Sequence, residues 1–318
     1  MSKRNEVVHS QLELLAINMN KFIFLSFSIF GLIVFSTQSS AYTLCANNGS
    51  SSSSAITETS DCYTQPDTQK VTFYRIALCK SQPTAPTSTS AAGTSSCTDI
   101  FRNTSGSTLT IQNGSTVGLS GNVALDSDGR LNLPNGSYNY LYMEVDPSFQ
   151  QQKTAYFSSS RNNSDSSSSG VKCWSLPVTT YSYSSGTVVA TTCGATGATT
   201  TGVGLTTAVV NTLNGAAGFV SSLSFSCNAP AATINAYLIT SAGLLATGVV
   251  NGLGTISKVS GFTQLGSAFT VSNGRQKSIS SLGIGFLNSG GTAVSQGGGT
   301  MSVFSGGPFC TYLKSYSM

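Results

Sequence analysis

Short runs rich in Val, Ile, Thr, Phe and Tyr recur along the chain from residue 70 onward, each closed by a cluster of Gly, Ser, Asn or Pro. Helical spacing of apolar residues is almost absent beyond residue 41. This punctuation, with apolar positions alternating two by two, is the pattern of an all-β fold. Strands are expected at 70–79, 107–112, 115–121, 138–145, 154–158, 187–193, 221–227, 233–240, 267–272, 278–287 and 300–305. Turns are expected at Asn113-Gly114, Asp128-Gly129, Asn135-Gly136, Asn214-Gly215, Asn251-Gly252 and Asn273-Gly274. The clearest alternation lies in the sequence YNYLYMEVD. It puts Leu141, Met143 and Val145 on one face and Tyr140, Tyr142, Glu144 and Asp146 on the other. Tyr138 falls just past the Asn135-Gly136 turn, where a tyrosine often anchors the corner of a sandwich.

Three low-complexity stretches, 49–61, 81–96 and 158–170, read as loops with too little apolar surface to pack. The last of them ends the acidic half of the chain, and a boundary is expected near residue 170. The organisation expected is an N-terminal extension and signal peptide (1–41), a β-sandwich domain (42–170) and a Gly/Ser/Thr-rich β domain (171–318). The fold class is thus one or two antiparallel β-sandwiches stapled by disulfides. In the second half, Leu282, Ile284 and Phe286 share one face and argue for true strands despite the abundant glycine.

The N-terminal region changes the picture of where the protein resides. From Met19, a single Lys21 precedes an apolar run, Phe22 to Phe35, and a polar segment closing on Ser39 and Ala41. Small residues at those two places suit signal-peptidase cleavage, and the run is shorter than the roughly 20 residues that span a bilayer as a helix. A chain starting at Met1 or at Met19 and maturing near Tyr42 is expected, delivered to the exterior, the cell surface or the periplasm. No transmembrane helix is expected in the mature chain.

Cysteine usage agrees with that compartment. All eight cysteines (Cys45, Cys62, Cys79, Cys97, Cys173, Cys193, Cys227, Cys310) follow the cleavage site, and an even set in an exported chain reads as disulfides. Spacing alone does not fix their pairing. Their grouping into neighbours suggests Cys45–Cys62, Cys79–Cys97, Cys173–Cys193 and Cys227–Cys310. No C-x-x-C pair supports a zinc site.

Charge and chemistry narrow the function classes. Charged residues make up only 8% of the chain, against about 25% in an average domain. The sole histidine is His9, before the signal peptide, so histidine bases, histidine nucleophile partners and histidine metal ligands are excluded from the mature chain. No Asp or Glu follows Asp165, which removes paired-carboxylate hydrolysis from the second half. A net charge of +4 without any basic cluster argues against nucleic-acid binding.

Few candidate sites remain. Tyr140, Tyr142 and Glu144 read either as the outer face of a strand or as an aromatic platform for a sugar or protein. Trp174, beside Cys173, reads either as a sugar-stacking ring or as a core residue covering a disulfide. Asp126 and Asp128 before Gly129 resemble the start of a calcium loop but lack its distal ligands, and a solvated turn is the better reading. A hydrolase would have to draw on Asp99, Asp126, Asp128, Glu144 and Asp146. No catalytic, metal or cofactor site is expected.

The segments VTFYRIALCKS, CTDIF and LNLPNGSYNYLYMEVD together resemble secreted bacterial β-sandwich domains of unknown function, over about residues 70–158. The resemblance implies a prealbumin-like or immunoglobulin-like fold and an extracellular module, and implies no activity. From the missing histidine, the low charge, the Ser/Thr/Gly abundance and the long exposed edges such β chains can offer, the expectation is a non-enzymatic secreted or surface protein in adhesion or assembly, with a carbohydrate-binding module using an exposed tyrosine face as the alternative. Its partners would be further copies of itself, other surface proteins or glycans.

Overall fold

The computed structural model describes residues 45–58, 62–64, 66–112, 117–118, 133–163, 165–182, 188–213, 219–228, 231–248, 252–272, 281–286, 292–295, 300–303 and 311–316. The expected signal peptide, the expected Asp126/Asp128 turn and Cys310, and with Cys310 the expected pairing Cys227–Cys310, lie outside them. A 3-10 turn, Ser52–Ser54, comes first. The strands are then β1 (Cys62–Thr64), β2 (Thr68–Cys79), β3 (Cys97–Gln112), β4 (Val117–Gly118), β5 (Gly136–Val145), β6 (Ser148–Gln152), β7 (Thr154–Asn162), β8 (Ser169–Ser175) and β9 (Thr179–Tyr181). They continue as β10 (Thr191–Gly194), β11 (Thr206–Val209), β12 (Ser222–Asn228), β13 (Ala231–Ile239), β14 (Lys258–Val271), β15 (Ser281–Phe286), β16 (Thr292–Ser295), β17 (Thr300–Val303) and β18 (Thr311–Tyr316). The all-β, mainly antiparallel, sandwich-like class expected from the pattern is what the chain adopts. No helix among the described residues is long and apolar enough to cross a membrane.

Strand β2 organises the largest, nine-stranded sheet. It pairs with β3 along one side, while on its other side residues 73–79 pair with β5 and residues 68–70 pair with β6. β5 and β6 form one line of chain interrupted at Asp146-Pro147, where proline has no amide to give to a ladder. From β5 the sheet runs on through β14, β13 and β12, and from β6 through β11 and β9. Two wings therefore spread from one long hairpin. A single core lies against both, taking Leu141, Met143 and Val259 from one wing, Phe149, Ala208 and Val210 from the other, and Phe73 and Ile76 from β2. Each of these side chains other than the small Ala208 contributes about 1.5–3 kcal/mol by leaving water.

The second sheet has six strands in the order β1-β16-β17-β7-β8-β10. Its described core is small: Ile56, Ala155 and Phe157 together with the disulfides Cys45–Cys62 and Cys173–Cys193. Cys173 and Cys193 face one another directly in the β8–β10 register. The third disulfide, Cys79–Cys97, joins the ends of β2 and β3. These are the three pairings that spacing suggested for the described cysteines. A third sheet, β18-β15-β4, has three strands.

The chain passes between the two larger sheets at Asp67, at Lys153 and at the segment after Ser175, and these crossings are knitted together. Buried Lys153 places Nζ 3.0 Å from the Asp67 carboxylate, whose other oxygen accepts from the Thr154 amide at 2.8 Å. The Lys153 amide donates to Ser175 Oγ at 3.1 Å, and the Ser175 amide donates to the Lys153 carbonyl at 2.9 Å. The boundary expected near residue 170 falls inside the β7–β8 hairpin, whose strands pair with each other. Strands from both sides of it are interleaved, since β14 pairs with β5 and β11 with β6.

Candidate functional site

The tyrosine strand is built as its alternation requires. Leu141, Met143 and Val145 are buried in the main core. Gly136, with φ at +150°, lets the turn carbonyl of Asn135 accept from Lys80 Nζ at 3.0 Å. Tyr138 is fully buried, and its hydroxyl donates to the Pro134 carbonyl at 2.7 Å, closing the corner as expected.

The opposite face differs from the sequence expectation. Tyr142 is only 3% exposed and packs with Ala77, Cys79 and Phe262 in a second, smaller cluster. Tyr237 stacks on Phe262 with ring centroids 5.8 Å apart, and Ala92 and Tyr140 border the cluster. Stretch 81–96, expected not to pack, forms this cover. The Cys79–Cys97 bridge ties its base, Thr84 pairs with Gly93, and the Leu245 amide donates to the Thr87 carbonyl at 2.9 Å. Pro83 and Pro86 are buried within it. Proline brings little conformational entropy to lose, and loop closure by the disulfide lowers the cost further, so a weakly apolar segment still settles on the sheet. Tyr140 and Tyr142 therefore do not form an exposed platform.

Beside the aromatic rings lies a charged network. Arg75 sits 5.1 Å from the Tyr142 ring centre, with Nε 2.6 Å from Asp99, which also accepts from Arg102 at 2.9 Å. Glu144 accepts from Lys258 Nζ at 2.7 Å and from the Tyr142 hydroxyl at 3.1 Å. Asp146 accepts from the Tyr74 hydroxyl at 2.9 Å and from the Ser148 amide at 2.8 Å. Strand register explains the grouping, because Glu144 stands between Arg75 and Ser260 on its neighbours. Each carboxylate is engaged by cations or donors, so the network resembles a strand clamp more than an acid–base pair. Arg75 and Lys258 were the members missed from sequence, since they enter through register with β5.

Burial, then the charge and hydrogen bond of Glu144, pushes the Tyr142 hydroxyl far above the usual phenol range. Tyr74 is raised from 10.0 to about 12, first by burial and then by Asp146. A phenol raised in the folded state contributes stability in full below its unfolded value, and that contribution drains as pH climbs from 10.0 through about 12. Denaturation midpoints across that window should fall with pH for the parent chain and less steeply for Tyr74→Phe. Equal slopes in the two proteins would show that Tyr74 is not the group involved.

Trp174 is buried, and its indole Nε1 donates to the Thr201 carbonyl at 3.1 Å. It is next to the Cys173–Cys193 bridge and belongs to the interior, leaving no open ring to stack a sugar. Cys45, Cys62 and Glu58 lie close enough to suggest metal ligands, but the two sulfurs are joined to each other. Glu58 accepts from the Ala46 and Thr57 amides. No protein-family model, curated protein or solved structure matches the chain.

Proposed function

We propose that this chain is a secreted or cell-surface, non-enzymatic β protein that acts in adhesion or as a subunit of a structural assembly. The observation that carries the reading is where its scarce charges are placed. Asp67, Asp99, Glu144 and Asp146 all bind cations or donors that join neighbouring strands or sheet crossings. A framework that invests its carboxylates this way, and adds three disulfides among the described residues, suits a load-bearing or display role outside the reducing cytoplasm. The Tyr138–Pro134 corner supports the likeness to immunoglobulin-like or prealbumin-like secreted modules. The test uses the mature chain purified with its disulfides intact. Light scattering over a concentration series, and adhesion of protein-coated beads to cells and matrix-coated surfaces, should reveal self-association or attachment. A strictly monomeric protein whose beads adhere no better than albumin-coated beads would sink the reading, as would hydrolytic turnover of a polysaccharide.

A further inference from the structure

The tyrosine face being closed, a different place on the molecule offers a ligand site. A hollow of about 440 Å³ opens between the segment around the 3-10 turn, residues of β7 and β8, and Thr196. This volume falls in the range of small-molecule clefts, roughly 300–1,000 Å³. Its lining carries no ionisable acid or base except the Tyr156 phenol, and Ser52, Thr57, Ser158 and Thr196 supply hydroxyls. Among the described residues, these four hydroxyls have no hydrogen-bond partner within the chain. Tyr156 adds a half-buried ring, with Lys172 Nζ 5.5 Å from its centre, and that ammonium donates to the Ala198 carbonyl at 2.9 Å.

The walls are built to stay in place. Segment 49–58 is laced onto β7: the Tyr156 amide donates to Gly49, the Ile56 amide to Tyr156, and the Ser158 amide to Ile56, all within 2.9 Å. Gly49 takes φ +66°, and a side chain there would meet Ile56 and the Tyr156 carbonyl at 3.0 Å. Ser51 and Ser54 form a reciprocal capping box on the turn. The Cys45–Cys62 disulfide closes the segment, and Ile56 packs beside it in the small core. A preformed wall avoids the ordering cost that weakens binding.

From this we infer that the hollow is a binding site for a neutral glycan, and that it is the contact through which the chain adheres; the inference rests on the adhesion reading above. The chemistry selects the class. Hydroxyls that both donate and accept match the hydroxyls of a sugar, a tyrosine ring matches the apolar face of a pyranose, and the lining itself carries no charge to offset the desolvation of an ionic ligand, the neighbouring Lys172 ammonium being engaged by the Ala198 carbonyl.

The experiment uses the mature, disulfide-bonded chain on an array of neutral and sialylated oligosaccharides, followed by titration of the best neutral glycan. Binding to neutral glycans is expected, weakened tenfold or more in Tyr156→Ala and several-fold in Ser158→Ala and Thr57→Val. Tyr140→Ala should leave it unchanged. Thr57 and Ser158 are exposed, so their variants report on the site even if Tyr156→Ala fails to fold. Binding of sialylated glycans alone, no glycan binding by folded protein, or binding indifferent to Ser158 and Thr57 would overturn the inference. Bead adhesion separates the two readings. Adhesion that survives these variants leaves the adhesion role standing and removes the site, whereas glycan binding by beads that do not adhere removes the proposed role and, with it, the claim that the site serves attachment.

Discussion

Replacing Tyr142 by alanine is expected to lower the unfolding free energy by about 3–5 kcal/mol, the range for deleting a large buried ring. The same change at Tyr140, which only borders the cluster, should cost about 1 kcal/mol. The asymmetry follows from the cover of residues 81–96. Tyr142 loses contacts with Ala77, Cys79 and Phe262, its departure uncovers Arg75 on one side, and Glu144 loses the hydroxyl that donates to it. Urea denaturation of the three proteins checks this. Equal, small losses at both positions would mean that the ring is not held in an interior and would reopen the exposed-platform reading.

Exchanging both Cys173 and Cys193 for serine should cost about 3 kcal/mol, as expected for a bridge closing a loop of this size. The loss should fall unevenly. The six-stranded sheet draws its described core from two disulfides and a few apolar side chains, whereas the nine-stranded sheet has an apolar core running through both wings. Hydrogen exchange in the double variant should release amides of β7, β8 and β10 first and leave β2, β5 and β14 protected. Uniform release across both sheets would show that the crossings at Asp67, Lys153 and Ser175 weld them into one cooperative unit.

What the sequence made legible was whatever has a local cause. The stripe of Leu141, Met143 and Val145, the turn at Gly136 and the corner at Tyr138 follow from period and turn chemistry, and all stand in the structure. Three cysteine pairings followed from proximity along the chain. Elements with non-local causes were not legible. Strand β3 begins at Cys97, ten residues ahead of the expected start at 107, because polar Arg102 to Gly106 mimic a turn and only pairing with β2 makes them a strand. The first half of β14 is buried on both faces, so it shows no alternation. Strand β6 buries Gln151 and so reads as polar. The covered tyrosine face was hidden for the same reason, since composition reports how apolar a loop is but not whether a disulfide and two prolines lower the cost of ordering it. The glycan hollow, too, combines residues 47–58 with β7, β8 and Thr196, which no single stretch reveals.

The partnership of β5 with β14 also sets a timetable. Glu144 and Lys258, ion-paired across these strands, stand 114 positions apart, so the central strand of the main core waits for its neighbour until most of the chain has been synthesised. Until then β5 has β2 on one side and an open ladder on the other. Long-range pairing of this kind is slow, because a large loop must close before any contact rewards it. The main core of this design is therefore completed only once β14 has been made, which leaves β5 without that partner throughout the synthesis of the long stretch between them.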